Sequence, residues 1–230
     1  MLARTLIKNT KYRAGHLMGR HQILFQLLPF SKQNQWKKVS PQKDICIEGF
    51  PRSANSFFAK AFRLYNPTAK AAHHMHAPMQ VIKATEYGIP CVVLIRKPID
   101  AIASVLVVDR TLSTRFAIQS YINFYERIWP MRDQVIISDF KDTTTRPHRT
   151  IERVNQRYGT AFQMEPITPG VKETIFSQLQ ETQKRLNQPE HLVAIPTEAK
   201  ARIKQAVLQE LTAHPLLPTA NLIYQRFLDC

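Results

Sequence analysis

The chain has 230 residues, 44% of them hydrophobic, with 32 Lys and Arg against 17 Asp and Glu for a formal charge of +15. That length and apolar content exclude a disordered chain and leave room for one α/β domain with a real core, while no run of about 18 apolar residues exists to cross a bilayer. The positive excess favours anionic partners, but the bases are spread along the chain and no zinc-finger, homeodomain or RNP-type signature accompanies them, so a nucleic-acid partner is not expected.

Residues 1–40 are basic and free of acid, with Leu2, Leu6, Ile7, Leu17, Ile23, Leu24, Leu27 and Leu28 in irregular helical patches. They predict a basic N-terminal helical segment, either packed on the domain or acting as an organelle transit peptide or membrane-surface helix. Residues 41–230 are expected to form a single α/β domain. A strand is predicted over 44–49, a helix over 56–64, and a helix over 79–87 that leads through Gly88 and Pro90 to a second buried strand over 91–95. Pro98 opens a helix over 98–107, and Ser113 caps a longer one with an apolar face of Phe116, Ile118, Tyr121, Ile122, Phe124, Tyr125 and Ile128. A third strand is predicted over 134–138, then a helix over 147–158 ended by Gly159. Helices over 170–187, 197–213 and 219–228 complete the chain. Strands alternating with helices imply a parallel sheet covered on both faces, with ligands at the strand carboxyl ends. The three cysteines, Cys46, Cys91 and Cys230, form no C-x-x-C pair, and the first two fall in buried strands. A reducing, cytoplasmic compartment is the default that follows, beside the peripheral membrane or organelle placement that the first forty residues would allow.

The most informative stretch is 44–56, Asp-Ile-Cys-Ile-Glu-Gly-Phe-Pro-Arg-Ser-Ala-Asn-Ser, where an apolar strand enters a tight turn and then a helix N-terminus. Against the Walker A pattern, Gly49 and Ser56 hold the frame, Asn55 stands where the lysine belongs, and Arg52 brings a positive group into the loop. Further on, Arg96 follows the apolar strand Cys-Val-Val-Leu-Ile, with Pro98, Asp100, Ala101 and Ser104 after it.

Together these two segments resemble the PAPS-dependent sulfotransferase family, from residue 44 to residue 159. Gly49 to Phe57 is similar to the family's Tyr/Phe-Pro-Lys/Arg-Ser-Gly loop, and Arg96 and Ser104 stand at the spacing of its strand-end Arg and helix Ser. The resemblance implies a P-loop-like three-layer α/β/α fold with helical N- and C-terminal extensions. It also implies sulfuryl transfer from PAPS, with 3′,5′-ADP as product, to a hydroxyl or amine of a small-molecule, glycan or lipid acceptor, by in-line displacement without a metal. Arg52, Ser53, Ala54, Asn55, Ser56 and Phe57 would bind the 5′-phosphosulfate, with Phe57 stacking on adenine, and Arg96 and Ser104 would take the 3′-phosphate. Arg52 would also be catalytic, as an electrostatic stabiliser of the leaving oxygen.

A general base is needed, and His73-His74-Met75-His76-Ala77-Pro78 precedes the second strand. His76 takes the position of the family's base, and His74 that of its Lys, so that lysine's stabilisation of the leaving oxygen is either lost or supplied by an imidazolium at His74, with Lys70 and Lys83 as other substitutes. Zinc is not expected in the cluster, since no Cys pair or H-E-x-x-H supplies the further ligands. This chain departs from the family at Ala54, where a glycine is usual, at Ser138, where a Glu precedes Asp139-Phe140-Lys141-Asp142, and in lacking a glycine-rich C-terminal loop, for which Lys172 or Arg185 would substitute. Two other readings stay open: a non-catalytic nucleotide- or anion-binding relative, and a P-loop kinase or NTPase.

Overall fold

A computed structural model describes residues 37–185 and 198–229. Most of the predicted N-terminal segment therefore lies outside the described residues. Four strands, β1 (Ile45–Gly49), β2 (Ala71–His73), β3 (Cys91–Ile95) and β4 (Ile136–Asp139), pair in the order β2-β1-β3-β4, every pair parallel. The helices are α1 (Asn55–Tyr65), α2 (Pro78–Glu86), α3 (Pro98–Val108), α4 (Thr114–Ile128), α5 (Phe140–Thr145), α6 (Pro147–Tyr158), α7 (Pro169–Arg185), α8 (Glu198–Thr212) and α9 (Leu217–Leu228).

The period-two alternation of the strands sorts their side chains onto two faces. Cys46, Cys91, Val93 and Ile95 pack with α2, α3, α4, α8 and α9 through residues such as Val81, Ile102, Tyr121, Leu211 and Phe227. Ile45, Ile47, Val92, Leu94 and Ile136 pack instead with Phe58 and Phe62 of α1 and with Ile151 and Val154 of α6. The result is the expected α/β/α sandwich with a parallel sheet. Ser113 caps α4 by accepting a hydrogen bond from the Phe116 N–H, as predicted, and Gly159 ends α6 in the left-handed conformation.

Three elements were not anticipated, the first a 3-10 helix over Trp129–Gln134 that takes the first residue expected in the third strand. β2 has only three residues, too few for a periodic signal, and its last residue is the first of the histidine cluster. The turn after β4 is helical, α5, because Asp139 caps it by accepting from the Lys141 N–H. Ser138 is buried, and its hydroxyl is hydrogen-bonded to those of Thr143 and Thr150, each at 2.9 Å. It faces the core, not a substrate.

The strand order turns back between β1 and β3: the chain leaves β1 for β2 on one side and returns to β3 on the other. A crevice opens at such a switch point, at the carboxyl ends of the two strands. Gly49 closes β1 there, opposite Leu94, and a Cβ at Gly49 would meet the Leu94 carbonyl oxygen at 2.4 Å. Two phenols brace this end from below. The Tyr125 hydroxyl donates to the Leu94 carbonyl at 2.8 Å, and the Tyr121 hydroxyl donates to that of Arg96 at 2.8 Å.

Candidate functional site

The loop from Phe50 to Ala54 runs from the end of β1 to the start of α1. Arg52 (φ 70°) and Ala54 (φ 67°) are both left-handed, with Ser53 between them. This alternation of backbone hand turns successive N–H groups to one side, the geometry of an anion-binding nest. Ala54 is the N-cap of α1 and offers no side-chain acceptor, and the first bond of the helix runs from the Phe58 N–H to the Ala54 carbonyl. Among the described residues, the N–H groups of Ala54, Asn55, Ser56 and Phe57 consequently have no acceptor. They are donors at the positive end of an eleven-residue helix.

The side chains in this loop divide between scaffold and crevice. Asn55 is buried, and its Nδ2 donates to the Phe50 carbonyl at 3.0 Å, so the residue at the Walker lysine position folds the loop inward. Ser53 is buried too, and its hydroxyl has no hydrogen-bond partner among the described residues. Phe57 packs against Ala61 and Ile175, under α7, which leaves its N–H and not its ring to the crevice. The expected adenine stacking by Phe57 is therefore replaced by a core contact.

Arg52, Ser104 and Arg96 form one connected group. Arg52 Nε donates to Ser104 Oγ at 2.9 Å, and Arg96 Nη1 donates to the Arg52 carbonyl at 3.0 Å. The Arg96 guanidinium also lies over the Phe140 ring, 4.0 Å from its centroid, and makes no ion pair with Asp100 within 4 Å. Burial lowers the pKa of both arginines, and for Arg52 the Arg96 charge lowers it further, yet a guanidinium stays charged through any such shift. Two cations are thus held side by side, and among the described residues no carboxylate lies within 4 Å of either, the Asp100 charge only partly offsetting the burial of Arg96, so an anion would relieve the remaining cost.

Opposite, the loop after β2 carries His74 (φ 63°) and His76 (φ 50°), again left-handed on either side of one residue, Met75. Its nest is filled from within the protein. Glu48, fully buried at the end of β1, accepts the Met75 N–H on Oε2 at 2.9 Å and the Gly49 N–H on Oε1 at 3.1 Å. Burial raises the Glu48 pKa to about 7, with the backbone donors of Met75, Gly49 and His76 holding it from rising further.

The histidines make different bonds. His76 Nδ1 lies 2.9 Å from the Gly49 carbonyl oxygen, which can only accept, so Nδ1 carries the proton and Nε2 keeps its lone pair. Burial lowers the His76 pKa, and its side chain remains 28% exposed. His74 Nε2 is 2.7 Å from Ser56 Oγ, and His74 Nδ1 is 2.6 Å from His73 Nδ1. Burial, with the neighbouring His76 and His73, drives the His74 pKa well below 6.5, and burial first among several causes brings His73 down to about 3. His74 is therefore neutral near pH 7, which favours loss of the lysine's charge over its supply by an imidazolium there.

The other cations proposed as substitutes sit elsewhere. Lys83 is buried on α2 and paired with Glu86 at 2.5 Å, the Lys70 N–H donates to Asp44 and its side chain is exposed, and Lys172 is exposed on α7. The Arg185 side chain lies outside the described residues. Among the described residues no group of three His, Cys, Asp or Glu side chains converges as metal ligands. Residue-type reasoning missed Glu48, Tyr121 and Tyr125. Glu48 had a visible signal, an acid inside an otherwise apolar strand and directly before the loop glycine.

No family model matches this chain, and no curated protein matches it. Among solved structures it is similar to the crystal structure of mouse sulfotransferase SULT7A1 complexed with PAP, with 9% sequence identity and a TM-score of 0.40 over 85% of this chain and 95% of that one. That is a distant likeness.

Proposed function

We propose that this chain is a sulfotransferase that moves a sulfuryl group from PAPS to a hydroxyl or amine of a small-molecule, glycan or lipid acceptor. The observation that carries the reading is the meeting, at one switch point, of an unfilled nest of N–H donors, two unpaired-by-acid arginines and a neutral histidine with a lone pair on Nε2.

The residues fit such a donor. The N–H groups of Ala54 to Phe57 suit a 5′-phosphosulfate, and the Arg96 fork suits the 3′-phosphate. Ser104 accepts from Arg52 and keeps its own hydroxyl proton to donate. PAPS supplies an activated sulfuryl group whose S–O bond to the 5′-phosphate breaks as the acceptor oxygen or nitrogen attacks sulfur. Arg52 then opposes the negative charge that grows on the bridging oxygen, and His76 Nε2 takes the proton from the acceptor. The products are the sulfated acceptor, 3′,5′-ADP and a proton held first on His76. A triphosphate is served less well, because Asn55 turns inward and β3 runs on into Arg96 where a magnesium-binding Asp is wanted.

The test is metal-free titration calorimetry with 3′,5′-ADP, compared with 5′-AMP and Mg-ATP, followed by transfer from radiolabelled PAPS to a panel of alcohols, sugars, lipids and phenols. Micromolar binding that needs the 3′-phosphate, with label transfer, is the expected result. Binding of Mg-ATP alone moves the chain to the NTPases. Binding of 3′,5′-ADP with no transfer to any acceptor favours a non-catalytic relative.

A further inference from the structure

We propose that Glu48 is a positioning residue for His76: its carboxyl group fills the nest of the 74–76 loop, holds that loop so that the imidazole keeps Nδ1–H against the Gly49 carbonyl and Nε2 free, and in its ionised form stabilises the cation formed when His76 takes a proton. The purpose of this couple rests on the sulfuryl-transfer reading; its geometry does not.

Four observations support it. Glu48 is fully buried two residues before the Phe50–Ala54 loop. Its two oxygens accept from Gly49, the last residue of β1, and from Met75, in the loop after β2, so one carboxyl group ties the two strand ends together. Oε1 lies 3.7 Å from His76 Nδ1, the nitrogen that donates to the Gly49 carbonyl, so a positive imidazole would have an anion directly behind it. Finally, both residues around Met75 are left-handed, a conformation that costs roughly 1–3 kcal/mol at each non-glycine position and persists where surrounding bonds hold it. The carboxylate supplies that hold.

A glutamine at position 48 would keep the shape but present an N–H₂ to one of the two backbone donors, and it would remove the charge. The other polar groups facing Glu48 are Gln80 of α2, Cys46 of β1 and Tyr125 of α4, and only His76 can become positive near neutral pH. The couple is thus a carboxylate behind an imidazole, as in other proton-accepting histidines, with the backbone carbonyl of Gly49 interposed.

The experiment is nitrogen-15 NMR of histidine-labelled full-length protein with no ligand, with the His76 signal assigned from its loss in His76→Asn. The expected result is the Nδ1–H tautomer of His76 in the unmutated protein. In Glu48→Gln the loop no longer holds Nδ1 against the Gly49 carbonyl, so the preference for that tautomer weakens, the His76 pKa falls by up to about one pH unit, and kcat drops about tenfold, while affinity for 3′,5′-ADP is unchanged. An Nε2–H tautomer in the unmutated protein overturns the proposal, and this readout stands even if Glu48→Gln does not fold. A folded Glu48→Gln whose His76 tautomer and pKa match the parent overturns it equally. If Glu48→Gln shifts the His76 tautomer and pKa as expected but 3′,5′-ADP does not bind, the sulfotransferase reading fails and the Glu48–His76 couple is upheld.

Discussion

The loops after β1 and β2 are built alike and finished differently. Each places two left-handed non-glycine residues around one ordinary residue, Arg52 and Ala54 around Ser53, His74 and His76 around Met75. In the second loop the N–H groups turn onto the Glu48 carboxylate, whereas in the first they face the crevice with no acceptor among the described residues. The same backbone device is closed by an internal anion in one place and left open to an external one in the other. On the proposed function, the closed loop fixes a base and the open loop offers a cradle.

The comparison breaks most visibly at Arg52, the one side chain of the open loop that is aimed at reaction chemistry. Arg52→Ala is expected to lower kcat by about a hundred- to a thousandfold, with a much smaller change in the Kd for 3′,5′-ADP. Single-turnover kinetics and calorimetry on the same preparation check this. An equal loss in both would make Arg52 a binding group like its neighbours.

Arg96 sharpens the boundary between ligand contact and loop support, since its guanidinium holds the Arg52 carbonyl. Arg96→Ala is expected to weaken 3′,5′-ADP by about ten- to a hundredfold and to leave 5′-AMP nearly unchanged. A parallel loss for both nucleotides would show that Arg96 serves the loop rather than a 3′-phosphate.

Much of this was legible in the sequence, and the failures have physical causes. Strands with unbroken apolar runs, such as Cys91–Ile95, and helices with explicit signals, such as Ser113 and Gly159, fell within a residue or two of expectation. β2 was hidden because three residues carry no period, and a histidine cluster drew attention away from Ala71 and Ala72. In the site, the residue types were readable and their bonds were not. Ser104 and Arg96 were expected to point jointly at a ligand, yet both first engage Arg52. Phe57 was expected at the crevice, but its helical position sends the ring to Ile175. Backbone hand was the largest gap: Ala54, standing where a glycine is usual, nevertheless adopts φ 67°.

Ala54 therefore allows a smaller and cleaner test. Glycine enters the left-handed region without a Cβ penalty, so Ala54→Gly is expected to raise stability by about 1 kcal/mol in urea unfolding. His74→Gly relieves the same strain in the other loop but forfeits the bond to Ser56, and a net gain is not expected there. If both substitutions stabilise equally, the His74 bonds contribute nothing to holding the closed loop.

The smallest effect concerns pH, and the acid and the histidines of the closed loop push it in opposite directions. Glu48 has a folded pKa of about 7 against an ordinary 4.5, so the folded protein holds a proton the unfolded chain has released. Its contribution to stability is complete below pH 4.5 and is lost as pH rises through 7. His73 is lowered to about 3, and His74 and His76 are lowered as well, so their contributions are present above pH 6.5 and are lost as pH falls. Between pH 7.5 and 5, acidification thus weakens the fold through three histidines and strengthens it through one glutamate. The unmutated protein is expected to lose stability over that range, measured by urea unfolding at each pH. Glu48→Gln removes the opposing contribution and, through a lower His76 pKa, adds to the loss, so its loss must be steeper than the parent's. A shallower slope in the variant would mean that Glu48 is ionised throughout, with the backbone donors of the closed loop outweighing its burial.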